Sequence, residues 1–479
     1  MSDYLKLFQA HSAYNTYING NNVSLPNVSF CQNENEIHYN PIDFSKRYLA
    51  TVARESGTIS FNIWQTMGTD LITSISYSTD NGETWTTTNN QNNKSDNLQI
   101  TVNVNAGDKV LWKGVAQQMG YYDEEEMADY VGSFFSSDCE FDVQGNVMSL
   151  CYGDNFIGEN TLEYVGQFAY LFYDYNENLE CNVVNAKDLS LPATTLTEGC
   201  YADMFWNCSS LTSAPQLPAT TLAYGCYESM FYNCTQLVKA PVLPATTLAN
   251  QCYIGMFTGC TSLVTATELP ATTLAEGCYA YMFQDCTSLT TAPALPATTL
   301  ANQCYGGMFR GCTSLVTAPV LPATTLSESC YRNMFTNCTS LTTAPALPAT
   351  TLADYCYDSM FSGCSSLTTA PVLPATTLVD NCYYYMFSGC TSLTTAPELP
   401  ATTLATRCYN QMFSGCSSLN YIKAMFTTTP SGSSPNYYTS DWVQGVAASG
   451  TFVKNSAATW NVTGDDGVPY GWTIQTASA

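Results

Sequence analysis

The hexapeptide Leu-Pro-Ala-Thr-Thr-Leu begins at Leu191, Leu217, Leu243, Leu269, Leu295, Leu321, Leu347, Leu373 and Leu399, every step 26 residues long and without an insertion. A period this strict, with Leu, Cys and Phe at fixed offsets, restricts the chain to a solenoid in which each copy buries its apolar face only against its neighbours. Positions are counted here from the first cysteine of a copy, Cys278 in the fourth. On a helix of about 100° per residue, Cys278, Tyr279, Met282 and Phe283 share one apolar arc. Ala280, Tyr281 and Gln284 fall opposite, at positions that change from copy to copy.

Position seven is Asn207, Asn233, Gly259, Asp285, Gly311, Asn337, Gly363, Gly389 and Gly415 in turn. These residue types tolerate the left-handed conformation that closes a helix. The spacing therefore predicts a short helix in each copy, from just after Ala-Thr-Thr-Leu to about one residue past the Phe. The following Thr-Ser-Leu-Thr-Thr-Ala-Pro alternates apolar and polar side chains and predicts a very short strand. A proline such as Pro293 ends it, because proline cannot donate to a ladder; one copy carries Thr267 instead. The expected fold is an α/β solenoid, with a parallel sheet on one side, short helices on the other and ~4.8 Å between strands.

Eighteen of the 22 cysteines fall into two ladders, Cys200 to Cys408 and Cys208 to Cys416. In a packed coil a thiol is a small apolar plug. Bridges between coils are within reach at ~5 Å between Cα atoms, but equivalent rungs specify no unique pairing. Buried free thiols are the expected state, with Cys278, Tyr279, Met282, Phe283 and Cys286 as one rung of the structural ladders.

The copies resemble the leucine-rich repeats of the BspA-like type. Leu-Pro, Phe283, Gly-Cys or Asp-Cys, and Ser-Leu fill that pattern over residues 191–420. The period is longer than is usual there, and a Met-Phe pair replaces a small residue followed by Phe. The resemblance implies a fold; it does not carry a ligand.

Around this body the chain divides into an arm at 1–47, a sandwich at 48–155, an N-terminal cap at 156–190 and a C-terminal cap at 421–479. The sandwich is expected to be all-β and immunoglobulin-like, from short alternating runs such as "TISFNIW" and "LQITVNV" and the hairpin signal Asp80-Asn81-Gly82. The N-terminal cap keeps Phe172 and Leu-Pro at a longer spacing. The C-terminal cap leaves the register and carries Trp442, Trp460 and Trp472. The arm is too short and polar for a core of its own and is expected to order on a partner. An arm joined to a small β-domain and a modular body resembles the N-terminal segments of virion proteins of gut Bacteroidales phages.

A formal net charge of -25 repels phosphate backbones and anionic lipid, so no nucleic-acid partner is expected. No membrane insertion is expected either, since no apolar run approaches ~18–20 residues. The first residues lack a basic region, a long apolar stretch and a small-residue cleavage site, so no Sec signal is expected. With two histidines, no nucleophile–base pair and no phosphate loop, neither catalytic, cofactor nor metal residues are assigned and no enzyme is expected. The acidic run 121–130 lacks the ligand spacing and turn glycine of a calcium loop and reads as a solvated loop. The threonines of the strand positions, such as Thr290-Thr291 and Thr342-Thr343, suit either a periodic glycan or simple β-propensity on a solvated face. Glycan cleavage on that face is the weakest reading.

The candidate recognition surface is the set of varying outward positions Asp203, Ile254, Tyr281, Arg332, Asp358, Tyr384 and Tyr385. The resulting expectation is a non-enzymatic virion structural protein, a head fibre, decoration or tail-associated fibre. It would attach to other virion proteins through its arm and touch host surface glycan or protein, with self-association as a homotrimer left open. Its location would be the virion surface after cytoplasmic assembly. The alternative is a BspA-like adhesin or protein-interaction module at the bacterial cell surface. Replacing Phe283 by Ala should cost ~3–5 kcal/mol as a large-to-small core change. A local unfolding free energy from hydrogen exchange that stays unchanged would show the apolar arc to be drawn wrongly.

Overall fold

On the turn side, equivalent rings of successive coils lie 5.5–6.0 Å apart, closer than a column of helices ~10 Å across allows, and the repeats of this protein pack without helices. The computed structural model describes residues 28–33, 36–41, 43–63, 72–89, 98–116, 119–123, 129–173 and 182–477. The chain divides into a unit at Met1–Phe44 and a unit at Ser45–Ala479. The first contains an antiparallel hairpin of β1 (Val28–Asn33) and β2 (Glu36–Pro41), with Val28 opposite Pro41. The rest of the expected arm, residues 1–27, lies outside the described residues.

The second unit opens with β3 (Leu49–Ala53), β4 (Gly57–Ile63), β5 (Ile72–Ser78), β6 (Thr86–Asn89), β7 (Leu98–Val104), β8 (Lys109–Ala116), β9 (Gly120–Asp123), β10 (Asp129–Gly132), β11 (Phe134–Ser137) and β12 (Phe141–Asn146). The short helix α1 (Ser149–Tyr152) and β13 (Val183–Ser190) follow. One sheet runs β11-β4-β7 and the other β13-β12-β3-β8-β5-β6. Phe61 of the first packs on Trp112 of the second, ring centroids 6.2 Å apart, so the sheets face each other across a shared core. The Asp80-Asn81-Gly82 turn lies in the connection from β5 to β6, with Asn81 and Gly82 at φ 60° and 92°, but that connection runs over residues 79–85 and is not the two-residue loop of a tight hairpin. The immunoglobulin strand order is not shown. There the first strand shares a sheet with the second, whereas here β3 lies between β12 and β8.

β13 converts this sandwich into the repeat body. It pairs in parallel with β12, Phe141 opposite Val183, and its Asn185 bridges in parallel to Ser213 of the first copy.

Within the repeats the expected helices do not form. In the fourth copy the amides of Gly277, Tyr279, Tyr281, Phe283 and Asp285 donate to Asn302, Cys304, Gly306, Met308 and Arg310 of the next coil at 2.7–3.1 Å. The alternate amides, from Cys278 to Cys286, donate three residues back within the coil. A left-handed residue recurs every fourth position, Gly277, Tyr281 and Asp285 at φ 58°, 56° and 56°. This is a run of tight turns whose every second amide stitches one coil to the next. An α-helix would spend all its amides on itself. The helical and four-residue periods nevertheless send the same positions inward, zero, one, four, five and eight. That is why the apolar arc is right although the backbone is not helical.

The expected strands shrink to isolated parallel bridges, such as Thr265–Thr291–Thr317–Thr343–Thr369 and Thr273–Thr299, because the prolines nearby limit the ladder.

Both flanks continue the pattern. Upstream, Gly166, Phe168, Tyr170 and Phe172 donate to Glu198, Cys200, Ala202 and Met204, with Gly166 and Tyr170 left-handed. Downstream, Arg407, Tyr409, Gln411, Phe413 and Gly415 donate to Asn436, Tyr438, Ser440, Trp442 and Gln444. Tyr437, Asp441 and Gly445 repeat the left-handed spacing. The segment expected to leave the register therefore makes one more coil at a longer spacing. The parallel strands β14 (Tyr421–Ala424), before that coil, and β15 (Thr451–Lys454) and β16 (Thr473–Thr476), after it, form a small sheet at this end.

Gly389 has φ 74°, and its column elsewhere holds asparagines, among them Asn337 at φ 61°. Gly389→Asn should leave thermal stability nearly unchanged. Gly389→Val should lower it by ~1–3 kcal/mol, since a β-branched residue is strained there. Equal melting curves for the two variants would contradict the turn geometry.

Candidate recognition surface

Inside the coils the side chains repeat and stack. The tyrosines from Tyr201 to Tyr409 form a column with ring centroids 5.7–6.0 Å apart. The phenylalanines from Phe205 to Phe413 form a second at 5.5–5.9 Å. Offset stacking at this separation suits aromatic quadrupoles. The phenylalanine column runs back through Phe172 to Phe135 of the sandwich, by steps of 5.0 and 5.5 Å. At the other end Trp442 covers both columns, 6.3 Å from Tyr409 and 6.1 Å from Phe413. Cys278, Tyr279, Met282, Phe283 and Cys286 are all buried.

The second cysteine ladder has a use that spacing does not reveal. From Cys234 to Cys416 each thiol donates to the carbonyl of a phenylalanine in the preceding coil, Cys286 to Phe257 for example, at 3.0–3.2 Å. Nineteen described cysteines are free. Cys208, at the first rung of this ladder, is disulfide-bonded and corrects the expectation of thiols throughout.

Burial dominates the ionisation of this interior. It pushes the Cys200, Cys356 and Cys408 thiols up to about 12 and raises the ladder tyrosines as well. The hydroxyls of Tyr201, Tyr227, Tyr253 and Tyr331 have no partner among the described residues. Each such group costs ~1–3 kcal/mol compared with a bonded one.

Outward, the columns differ. All eighteen threonines of the Ala-Thr-Thr-Leu segments are exposed, Thr194 to Thr403. A groove of about 230 Å³ lies between the strand positions of two coils, bordered by Thr265 and Thr291. The turn face carries the varied residues. Of the candidate set, Tyr281, 39% exposed, and Arg332 face solvent, and Ile254, Tyr384 and Tyr385 are half-buried. Asp203 and Asp358 are buried, which corrects their placement on an open surface. Asp358 is held under the Arg332 guanidinium of the preceding coil, which a reading of outward positions within one copy does not reveal.

The structure brings some of these residues together. The Arg332 guanidinium pairs with Asp358 at 2.9 Å across one coil step. Burial raises the Asp358 pKa, opposed by the Ser359 hydroxyl and by Arg332. Tyr384 and Tyr385 meet edge to face at 4.4 Å. Tyr281 lies over Gly307, where a Cβ would meet its ring at 2.4 Å, so those two positions specify each other. Asp203 and Ile254 sit in other coils and join no shared cluster with Arg332.

Sequence reasoning missed the column just before the first cysteine. It holds Tyr355, Arg407 and Tyr437, with Arg332 lying 5.6 Å over the Tyr355 ring and Arg407 5.4 Å over Tyr437. Aligning that column would have revealed its variety, with three glycines, two glutamines, Ser329, Tyr355, Asn381 and Arg407. At the start of the body Trp206 and Tyr232 stack at 4.0 Å, also unanticipated.

Among the described residues no group of three His, Cys, Asp or Glu side chains could hold a metal ion. No described helix is long and apolar enough to cross a membrane. The acidic run 121–130 lies partly outside the described residues.

A stack of identical coils with an invariant interior and varied outward columns defines a repeat protein of the solenoid type. The family model described as BspA type Leucine rich repeat region (6 copies) matches at residues 155–290, 228–368 and 328–440. These matches span more than half of the chain, which belongs to that family, and the repeat region is a surface or protein-interaction module. No curated protein and no solved structure matches the chain.

The raised thiol and phenol pKa values fix a pH dependence. The native state holds protons that the unfolded chain releases above its ordinary thiol value of 9.0. Stability is therefore complete below pH 9 and drains as pH rises towards 12, by ~1.4 kcal/mol per unit for each group. Alkaline unfolding followed by far-ultraviolet dichroism should be steep and cooperative over that window; a flat stability up to pH 12 would contradict the buried ladders.

Proposed function

We propose that the protein is a non-enzymatic adhesion component of a virus particle, with the repeat body presenting the turn face to a host surface. The observation that carries this reading is the division of labour within each coil. Interior positions are held constant by stacking, whereas outward turn positions change chemistry from coil to coil, Tyr281, Arg332 and Tyr384 among them. A rigid body with a free surface code is what recognition requires and what catalysis, which needs converging groups, does not. The likeness of the first 47 residues to virion arms supports attachment to a particle, as a head fibre, decoration or tail-associated fibre. The net charge of -25 supports a protein or glycan partner over nucleic acid.

The second reading, a bacterial surface adhesin, is favoured by the repeat family itself. Purified full-length protein should bind intact host cells saturably, and antibodies against residues 191–420 should label purified particles in immunogold micrographs. Label confined to the envelope of uninfected cells would select the adhesin. Absence of cell binding would remove both readings.

A further inference from the structure

The most chemically distinct place on the turn face lies at its C-terminal end. Four cationic residues, Lys239, Arg310, Arg332 and Arg407, occur in residues 191–420 of this strongly acidic chain. Arg332 is neutralised by Asp358. Arg407 is exposed and takes part in none of the ion pairs among the described residues. Its backbone amide is bonded to the Asn436 carbonyl at 3.0 Å, and its guanidinium lies over the Tyr437 ring. In the adjacent coil Asp380 is turned to the amide of Thr406 at 3.0 Å and forms no ion pair with the arginine.

Around this cation the coil register gathers aromatic and polar groups. Tyr384 and Tyr385 stand in the coil before that of Arg407. Tyr384 and Tyr385 form an edge-to-face pair, and the Tyr385 amide donates to the Asn410 carbonyl at 3.0 Å, which fixes Asn410 beside them. The Asn410 side chain is only 7% exposed, yet its Oδ1 has no hydrogen-bond partner. A buried acceptor without a donor is costly and uncommon in a folded protein. That atom is closed to solvent, so the cost falls on the packing between the two coils.

We propose that Arg407, Tyr384, Tyr385 and Tyr437 form a binding site for a carboxylate-bearing sugar unit of a surface glycan. The planar guanidinium takes the carboxylate through two parallel N–H donors, a geometry that suits arginine. The tyrosines offer apolar ring surface to the sugar. A single cation within a field of net charge -25 admits an isolated acid and repels a dense polyanion. Phosphate-rich polymers are excluded on that ground. The proposal rests on the adhesion reading and supplies its ligand.

The repeats themselves provide substitutions that the coil accepts. Gln251 and Gln303 occupy the Arg407 column with φ 55°, and Ser229 and Ser359 occupy the Tyr385 column with φ 47° and 56°. Arg407→Gln and Tyr385→Ser therefore keep the backbone, and Arg310→Ser, in a column that holds Ser362 and Ser388, serves as the control. Calorimetric titration of the full chain would use 3′-sialyllactose, a hyaluronan hexasaccharide and an oligogalacturonide, each beside its carboxyl-reduced form. At least one acidic probe should bind at least tenfold more tightly than its reduced form. Arg407→Gln should abolish that preference, Tyr385→Ser should weaken both forms, and Arg310→Ser should change neither. Equal binding of acidic and reduced probes, no binding of any probe, or an Arg407→Gln variant with the wild-type preference would overturn the site. Wild-type protein that adheres to host cells while Arg407→Gln adheres equally would remove this site and leave the adhesion reading intact. Loss of cell adhesion by the wild type would remove that reading instead.

Discussion

Every second amide of the turn run must reach the next coil, and the architecture of the repeat body follows from this one requirement. A backbone that donates alternately outward and three residues back cannot remain right-handed throughout. One residue in four takes positive φ to reset the direction of the chain, as Gly277, Tyr281 and Asp285 do. The tyrosine at such a position carries strain that a glycine avoids. Its persistence at Tyr281 and Tyr385 means that the inter-coil bonds on either side outweigh that strain. The same bonds hold the coils close enough for identical side chains to stack, so a single backbone rule produces both aromatic columns.

Those columns make the interior intolerant of variation. A residue at position four or five touches its equivalents above and below, and a change of volume in one coil is felt by three. The thiols fit this setting. In the first ladder they fill small gaps, and in the second they also supply a donor to a carbonyl in the preceding coil. Charge is excluded so thoroughly that burial raises the pKa of every ladder thiol for which a shift is resolved. The phenylalanine column does not stop at the first copy. Through Phe172 and Phe135 it enters the sandwich, so the two parts of Ser45–Ala479 share one apolar core. β13 joins their sheets in the same place.

With the interior fixed, chemical freedom is confined to the outward columns. The strand side spends that freedom on threonine and valine, the turn side on aromatic and charged groups. Recognition is therefore read as a property of columns across neighbouring coils and not of any single copy. The pairing of Arg332 with Asp358, from consecutive coils, illustrates this. So do the Arg407 guanidinium over the Tyr437 ring and the Tyr385 amide bonded to the Asn410 carbonyl, each across one coil step.

The sequence by itself determined the existence of a stack, its period and the residues that point inward, because burial depends on side-chain pattern and the pattern repeats without error. It also marked the left-handed positions through Asn, Asp and Gly at position seven. It did not determine the secondary structure of the turn run. Periods of 3.6 and four residues select the same inward set over eight residues, and the amide bonds to the neighbouring coil decide between them. Nor did it show that the flanks continue the pattern, since Gly166–Phe172 and Tyr437–Gly445 keep the backbone rule after losing the letters. The burial of Asp203 and Asp358, the strand order of the sandwich and the cluster around Arg407 were decided by tertiary structure alone. Each depends on which side chains lie across a coil or sheet boundary, and that adjacency is written in the register and not in any one copy.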